Sequence, residues 1–318
     1  LPRAARRHRR VILGAQLLTI GQRAAASLLA VSALAFVVVA LMPSDPVMIA
    51  IRAWNLPVDE ATMAALRAEW GLDKPLAVRY FDWLSSFVTG DWGRSFRTGE
   101  PVLDEFVQRL PLSLGLGMGG LSLAAMLAVP LGFAAALNPD GIADRIGRLL
   151  SVTVQAVPAF WLGLVLIWVL GVKLQVIRPF SGGPAILFLA MGLVALHSTG
   201  LLARVYRRDL IEQTFQPHFR TALAKGLSRA KALWRHGHRG AVYTMLSAVR
   251  SEAGWAIGST AALEVLFGLP GISQFLVQSI SARDYFVLLA YVMIVATWMI
   301  VMNACVEFAM RRLDPRWQ

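Results

Sequence analysis

The residues able to do chemistry in this sequence are polar or ionisable side chains set inside long apolar runs: Gln155, His197, Glu252, Ser259 and Glu264. A polar group at membrane depth is costly unless it is paired or faces water, so these five are the expected lining of a translocation pathway. Arg250 and Glu307 stand near the inner edges of their runs, within reach of the interface by snorkelling. The usual signatures of covalent chemistry are missing. No GxxxxGK[ST] phosphate loop occurs, so the chain has no P-loop route to ATP hydrolysis. Gly115, Gly117, Gly119 and Gly120 lie in an apolar run with no preceding strand, which fits close helix packing and not a dinucleotide fingerprint. One cysteine, Cys305, excludes an intrachain disulfide and a CxxC site, and it has no ligand spacing with His236 and His238. No metal site and no bound cofactor are expected.

The elements that must position these groups follow from composition. Of 318 residues, 57% are hydrophobic and 16% charged, and the mean hydropathy is +0.58. A soluble domain carries about 25% charged residues, so neither a soluble enzyme nor a disordered chain fits. Six runs are long enough to span a bilayer as helices, near 24–42, 112–137, 149–172, 184–203, 251–268 and 286–309. Pro130 and Pro158 fall inside two of them and are expected to kink or break the helix. Net charge is +12, and roughly two thirds of the 31 Lys+Arg fall in the N-terminal segment, alternate loops and the tail, which places both termini in the cytoplasm. The expected organisation is a cytoplasmic segment 1–23 ahead of a retained first helix 24–42, an extracytoplasmic helical domain 43–111, a transmembrane core 112–309 and a cytoplasmic tail 310–318.

Two long connections carry structure of their own. In 43–111, Trp54, Trp70, Trp83 and Trp92 sit among amphipathic stretches such as 60–70 and 76–88, and aromatics in such number need burial. The basic loop 204–250 reads as a compact cytoplasmic elbow. It contains a short helix over 215–223, a left-handed stop at Gly226, a cap at Ser228 and a second helix over 229–239.

With these residues on the page, the chain resembles inner-membrane permeases of binding-protein-dependent ABC importers, in the dipeptide, oligopeptide and nickel branch. The run Thr221-Ala-Leu-Ala-Lys225-Gly226-Leu227-Ser228 is similar to the loop by which such permeases dock on their ATPase. The resemblance continues in order along nearly the whole chain: Asp45-Pro46 after a Pro43-Ser44 start, Gly71-Leu72-Asp73, Gly90-Asp91-Trp92-Gly93, Pro158-Ala-Phe160-Trp161, Glu264-Val-Leu-Phe267 with Pro270-Gly271, Arg283-Asp284-Tyr285 and a closing Leu313-Asp314-Pro315-Arg316. It departs at Thr221, where the family's docking motif is named for a glutamate, at Ser273, where a glycine is usual, and at Gly240 and Thr244, which stand for the Asn and Pro of an RNALLP-like string.

The resemblance implies an all-α membrane protein with six transmembrane helices and an extracytoplasmic helical domain between helices 1 and 2. It implies an ATPase-docking elbow of Phe219, Arg220, Thr221, Ala222, Ala224, Lys225, Gly226, Leu227 and Ser228. The partners it implies are a second homologous permease, two ABC ATPase subunits that bind the ATP and Mg, an extracytoplasmic solute-binding protein and membrane lipid, with no nucleic acid. The substrates would be short peptides or nickel and metal chelates, with Asn55-Leu56-Pro57 leaning slightly toward the metallophore members. An ATP-independent channel or scaffold is the alternative, and an ion-coupled secondary carrier is disfavoured by the lack of a visible inverted repeat.

Overall fold

The computed structural model describes residues 3–42, 45–178, 180 and 183–313, with the side chains of 3–18, 20, 155, 255, 256 and 259 left out. Pro43, Ser44 and the Asp314-Pro315-Arg316 ending of the expected motifs therefore lie outside the described residues. The chain divides into two compact units, Leu1–Val107 with Gln278–Ile300, and Gln108–Val277 with Val301–Gln318.

In the first unit, α1 (Arg3–Ala40) is one continuous helix whose Gly21–Ala40 part is apolar enough to span a membrane. Three short helices follow, α2 (Pro46–Ala53), α3 (Glu60–Glu69) and α4 (Leu76–Thr89). Each begins or ends on a local signal. Asp45 caps α2 by accepting from the Val47 amide and Asp59 caps α3 by accepting from the Thr62 amide, while Gly90 closes α4 in the left-handed conformation. The tryptophans that demanded burial find one another. Trp54 meets Trp70 edge-on at 6.0 Å, Trp70 stacks on Phe96 at 4.8 Å and Trp92 stacks on Phe87 at 4.6 Å. Val47, Ile51 and Leu66 close the core beneath them. Phe36 of α1 and Trp83 of α4 pack with Leu289 and Met293 of α13 (Tyr285–Leu313). Ser95 donates to the buried Asp284 carboxylate at 2.5 Å.

α5 (Val102–Leu137), whose first six residues belong to the first unit and the rest to the second, runs through both Pro111 and Pro130 without a break, and it starts ten residues before the apolar run does. The expected third span is not one helix. Pro158, which lacks an N–H, ends α6 (Ile142–Ala156) by holding Val157 extended, and α7 (Ala159–Leu166) leaves at 100°. A π-helical segment, Ile167–Lys173, completes that arm. α8 (Pro184–Gln213) is the central element, packed against α6 and against α11 (His238–Phe267). Gly200 brings its backbone against Ser151 of α6, where a Cβ would lie 2.7 Å from Ser151 Cα. Gly119 and Gly120 of α5 face Met191 and Val194 of α8 in the same way, as the packing reading expects, whereas Gly115 faces open space. A buried ion pair ties α6 to α8: Arg207 Nε lies 2.7 Å from Asp144 Oδ1, and Arg207 Nη2 donates to Oδ2 at 2.9 Å. After α11, Gly268 adopts φ +65°, and α12 (Ile272–Ser281) leaves at 81°.

Among the described residues four helices are long and apolar enough to cross a membrane, and each of two bent pairs makes a further span if it crosses as a unit, giving up to six. Ala40 at the end of the first span and Tyr285 at the start of the last line one cavity in the first unit, so these two ends share a membrane face. The chain between them must cross an even number of times. Either both bent pairs cross or neither does.

Candidate functional site

The elbow is built by helix-end chemistry. Beyond Gln213, Pro217 takes the first position of α9 (Pro217–Ala224), where its missing N–H costs no hydrogen bond. The helix thus starts two residues later than expected. At its far end the Gly226 amide donates to Leu223 O at 2.9 Å and the Leu227 amide to Ala222 O at 3.2 Å, the two bonds of a Schellman stop. Gly226 sits at φ +84° with nothing within 4 Å of where a Cβ would be. Ser228 then caps α10 (Arg229–Ala232) by accepting from the Lys231 amide. The separate second helix expected over 229–239 does not form. α10 passes through a π turn, Leu233–Gly237, directly into α11, because nothing in Leu233–Arg239 interrupts helical hydrogen bonding.

Of the nine residues expected to dock a partner, the structure divides inward from outward. Phe219 and Ala222 are 3% and 4% exposed and belong to the core of Tyr206, Leu210, Ala232, Leu233 and Ala241, so they anchor α9 to its own chain. Leu227 is half-buried beside them. Arg220, Thr221, Ala224, Lys225, Gly226 and Ser228 are exposed. Thr221 donates its hydroxyl back to Pro217 O at 3.0 Å, which leaves small, backbone-satisfied groups on the outer surface. Beside them an apolar groove of about 650 Å³ is lined by Phe133, Leu227, Ala230, Lys231, Trp234 and Arg235, and Trp234 stacks on His238 at 4.1 Å.

Side chains outside the expected docking residues hold the elbow in place. Arg239 donates to Leu313 O at 3.0 Å and Arg312 O at 3.5 Å, capping the last carbonyls of α13. Thr244 donates to Asp209 at 2.8 Å, joining α11 to α8, and Gly240 lies against that Asp209 and Gln213. The His238 imidazole meets the Tyr206 hydroxyl at 2.5 Å, and burial holds its pKa below the ordinary histidine value. The only sequence signal for these contacts was the departure at 240 and 244, two small residues where α8 and α11 touch.

The five pathway candidates are not one cluster. Glu252 of α11 accepts from Ser198 of α8 at 2.6 Å, next in sequence to His197. Glu264 lies three turns further along α11, about 18 Å at helical rise. It is fully buried, and its Oε2 accepts from the Ser273 and Gln274 amides at 2.9 and 3.0 Å. There it caps α12 from a distance. The side chains of Gln155 and Ser259 lie outside the described residues. Arg250 donates to Asn303 at 2.8 Å and Glu307 pairs with Arg311 at 2.6 Å, so both charges near the inner edges are partnered within the protein.

The arrangement is a rigid link. α9 packs on α10 and the π turn and buries Phe219 in a core that also takes in Tyr206 and Leu210 of α8 and Ala241 of α11, and those two helices carry the Ser198–Glu252 contact about 22 Å along α8 from Gln213. These features define a helical, multi-pass membrane protein whose elbow is anchored in its own core.

The comparisons with known proteins agree with that class. Residues 128–318 match the family "Binding-protein-dependent transport system inner membrane component", and residues 17–117 match the N-terminal region of such components. A putative peptide transport system permease protein of Brucella abortus is 30% identical over 298 residues, covering 91% of this chain and 94% of the relative. The glutathione transport system permease protein of Pectobacterium atrosepticum is 29% identical over 291 residues with the same coverage. A putative peptide permease protein of Brucella ovis is 30% identical over 301 residues, again covering 91% and 94%. The chain belongs to this family of inner-membrane permease components.

Proposed function

We propose that this chain is one of two homologous permease subunits of an ATP-driven importer for short peptides. It takes solute from an extracytoplasmic binding protein and has both termini and the elbow in the cytoplasm. Two ATPase subunits would hold the ATP and Mg. The observation that carries this reading is the elbow: a Schellman-stopped helix with Arg220, Thr221, Ala224, Lys225, Gly226 and Ser228 exposed outside and a Phe219 anchor inside. When partner ATPases close, a displaced α9 moves the π turn on which it packs, and that turn packs in its own right on both α8 and α11. Movement of α8 against α11 acts on the Ser198–Glu252 contact, which makes His197 and Glu252 the better-supported pathway residues. Glu264, bound to two amides, is better read as the pin of the α11–α12 corner.

Peptide is favoured over nickel or metal chelates by what the relatives are named for, glutathione and peptides. Among the described residues no three His, Cys, Asp or Glu side chains gather as a metal site would require. The test is uptake into proteoliposomes holding the assembled complex, with a labelled tripeptide and with nickel on separate arms. ATP-dependent tripeptide accumulation supports the reading. Nickel accumulation alone, or ATP-independent leakage of both, overturns it.

A further inference from the structure

The Gly21–Ala40 span of α1 is 20 residues long, which at about 1.5 Å per residue fills a hydrocarbon layer of roughly 30 Å without slack. Its register in the bilayer is therefore fixed, and a contact made along it reports depth. The Tyr80 hydroxyl of α4 meets the Ser32 hydroxyl at 2.8 Å, and Ser32 is fully buried eight residues before Ala40, about 12 Å inside the end of the span. Phe36, four residues before Ala40, packs on Tyr80 and Trp83 with ring centroids 5.5 and 5.7 Å apart. The last span gives the same depth. Trp83 shares a core with Leu289 and Met293, four and eight residues into Tyr285–Leu313, about 6 and 12 Å from its start. α4 thus lies against both spans below the level at which they leave the hydrocarbon.

The face that α4 turns away from the spans is apolar. Tyr80, Trp83, Leu84 and Phe87 pack inward, and Arg79, Asp82 and Ser86 line a cavity of about 560 Å³ along one edge. At about 100° per residue the remaining sector holds Ala77, Val78, Phe81, Ser85 and Val88, all exposed and none charged. Phe81 and Val88 are 66% and 76% exposed, so the stripe is bulky and has no cover within its own chain. Ser85 donates to Asp82 O at 2.8 Å and Thr89 to Ser86 O at 2.9 Å. The hydroxyls on and beside the stripe are therefore satisfied by their own backbone, as a surface facing lipid requires.

We propose that α4 is a membrane-embedded amphipathic helix, seated in the leaflet where α1 ends and α13 begins, with Val78, Phe81, Ser85 and Val88 against acyl chains and Arg79 and Asp82 on the cavity side. Its depth excludes a water-borne binding protein as the cover. Its bulk argues against a second permease, since helices that pair within a membrane favour small residues, as Gly119 and Gly120 do where α5 meets α8. α1 exposes Leu29, Leu34 and Val38 in the same uncovered way. The segment 43–111 is then anchored in the bilayer by one of its helices instead of standing wholly outside it. This inference rests on span register and exposure and holds whichever solute is carried.

The test is electron paramagnetic resonance of the assembled complex in phosphatidylethanolamine and phosphatidylglycerol vesicles, with Cys305→Ser and a nitroxide on one introduced cysteine at a time. Phe81→Cys, Ser85→Cys and Val88→Cys sample the stripe, Leu34→Cys on the first span is the hydrocarbon reference and Glu60→Cys on α3 the aqueous one. Collisions with molecular oxygen, which concentrates in hydrocarbon, are compared with collisions with a water-soluble nickel chelate. At 81, 85 and 88 oxygen should exceed the chelate several-fold, close to the ratio at 34, and at 60 the ratio should invert. Chelate access at the stripe equal to that at 60 puts it in water and overturns the proposal. So does low access to both reagents, which means that a second permease or another protein covers it. If the label at 81 prevents assembly, 85 and 88 carry the test. Uptake that fails while the oxygen ratio is intact would count against the transport reading alone.

Discussion

Replacing Gly226 separates backbone geometry from surface contact at the elbow. The residue sits at φ +84°, and a Cβ built there meets nothing within 4 Å, so any effect inside the chain is conformational and not steric. An L-residue with a Cβ pays about 1–2 kcal/mol in the left-handed conformation. That amounts to roughly a 5- to 30-fold loss in the population of the closed turn. Alanine should show that loss. Valine, β-branched and poorly tolerated at positive φ, should exceed it, whereas asparagine visits this conformation readily and should stay close to wild type. The assay is peptide uptake per ATP hydrolysed by the reconstituted complex. The expected order is Gly, Asn, Ala, Val, with hydrolysis falling less than uptake. Asparagine and valine are of similar bulk, so equal failure of both would mean that surface contact and not the stop matters. Full uptake with normal stimulated hydrolysis in Gly226→Val would remove the elbow from the mechanism.

Three further perturbations test the supporting structure. Arg207→Ala should destabilise the purified chain by about 2–3 kcal/mol, less than a fully buried pair because Arg207 is 26% exposed, and Arg207→Ala with Asp144→Ala should recover part of that loss by calorimetry. No recovery would mean the pair adds nothing beyond packing. Burial pushes the Asp284 carboxyl above its usual range, so the stability it contributes is full below about pH 4 and lost as pH rises through the raised value; Asp284→Asn should flatten the melting temperature between pH 4 and 7, and an unchanged slope would refute the assignment. Glu264→Gln should lower the melting temperature by loosening the α12 cap, about 1–3 kcal/mol, and a large uptake defect with unchanged melting would return Glu264 to the pathway.

Much of this architecture is visible in the residues because its signals are local. Asp59 and Gly90 bound α3 and α4 where the amphipathic stretches begin and end, Pro158 breaks a helix, and Gly226 and Ser228 stop and restart the chain at the elbow. Helix continuity outside the membrane is another matter. α8 carries on through Arg204, Arg207 and Arg208, and α10 flows into α11, because helical hydrogen bonds need no apolar side chains once water replaces lipid. α5 begins at Val102 for the same reason. Long-range pairings were out of reach. Asp144 and Arg207 are 63 residues apart, and Phe219 looks like one more docking residue until its ring is found in the core that includes Tyr206 and Leu210. At Glu264 it is the turn at Gly268 that brings the α12 amides to the carboxylate.

The most direct measurement of the central claim is cysteine cross-linking at the elbow in native membranes. With Cys305, the single cysteine, changed to serine, Lys225→Cys places a thiol on the exposed rim and Ala222→Cys places one in the core. A bifunctional thiol reagent followed by mass spectrometry should join position 225, and not position 222, to a P-loop ATPase, with a yield that changes when ATP is added. Cross-links from position 225 only to the chain itself or to lipid, with no ATPase recovered, would contradict the coupling role of the elbow.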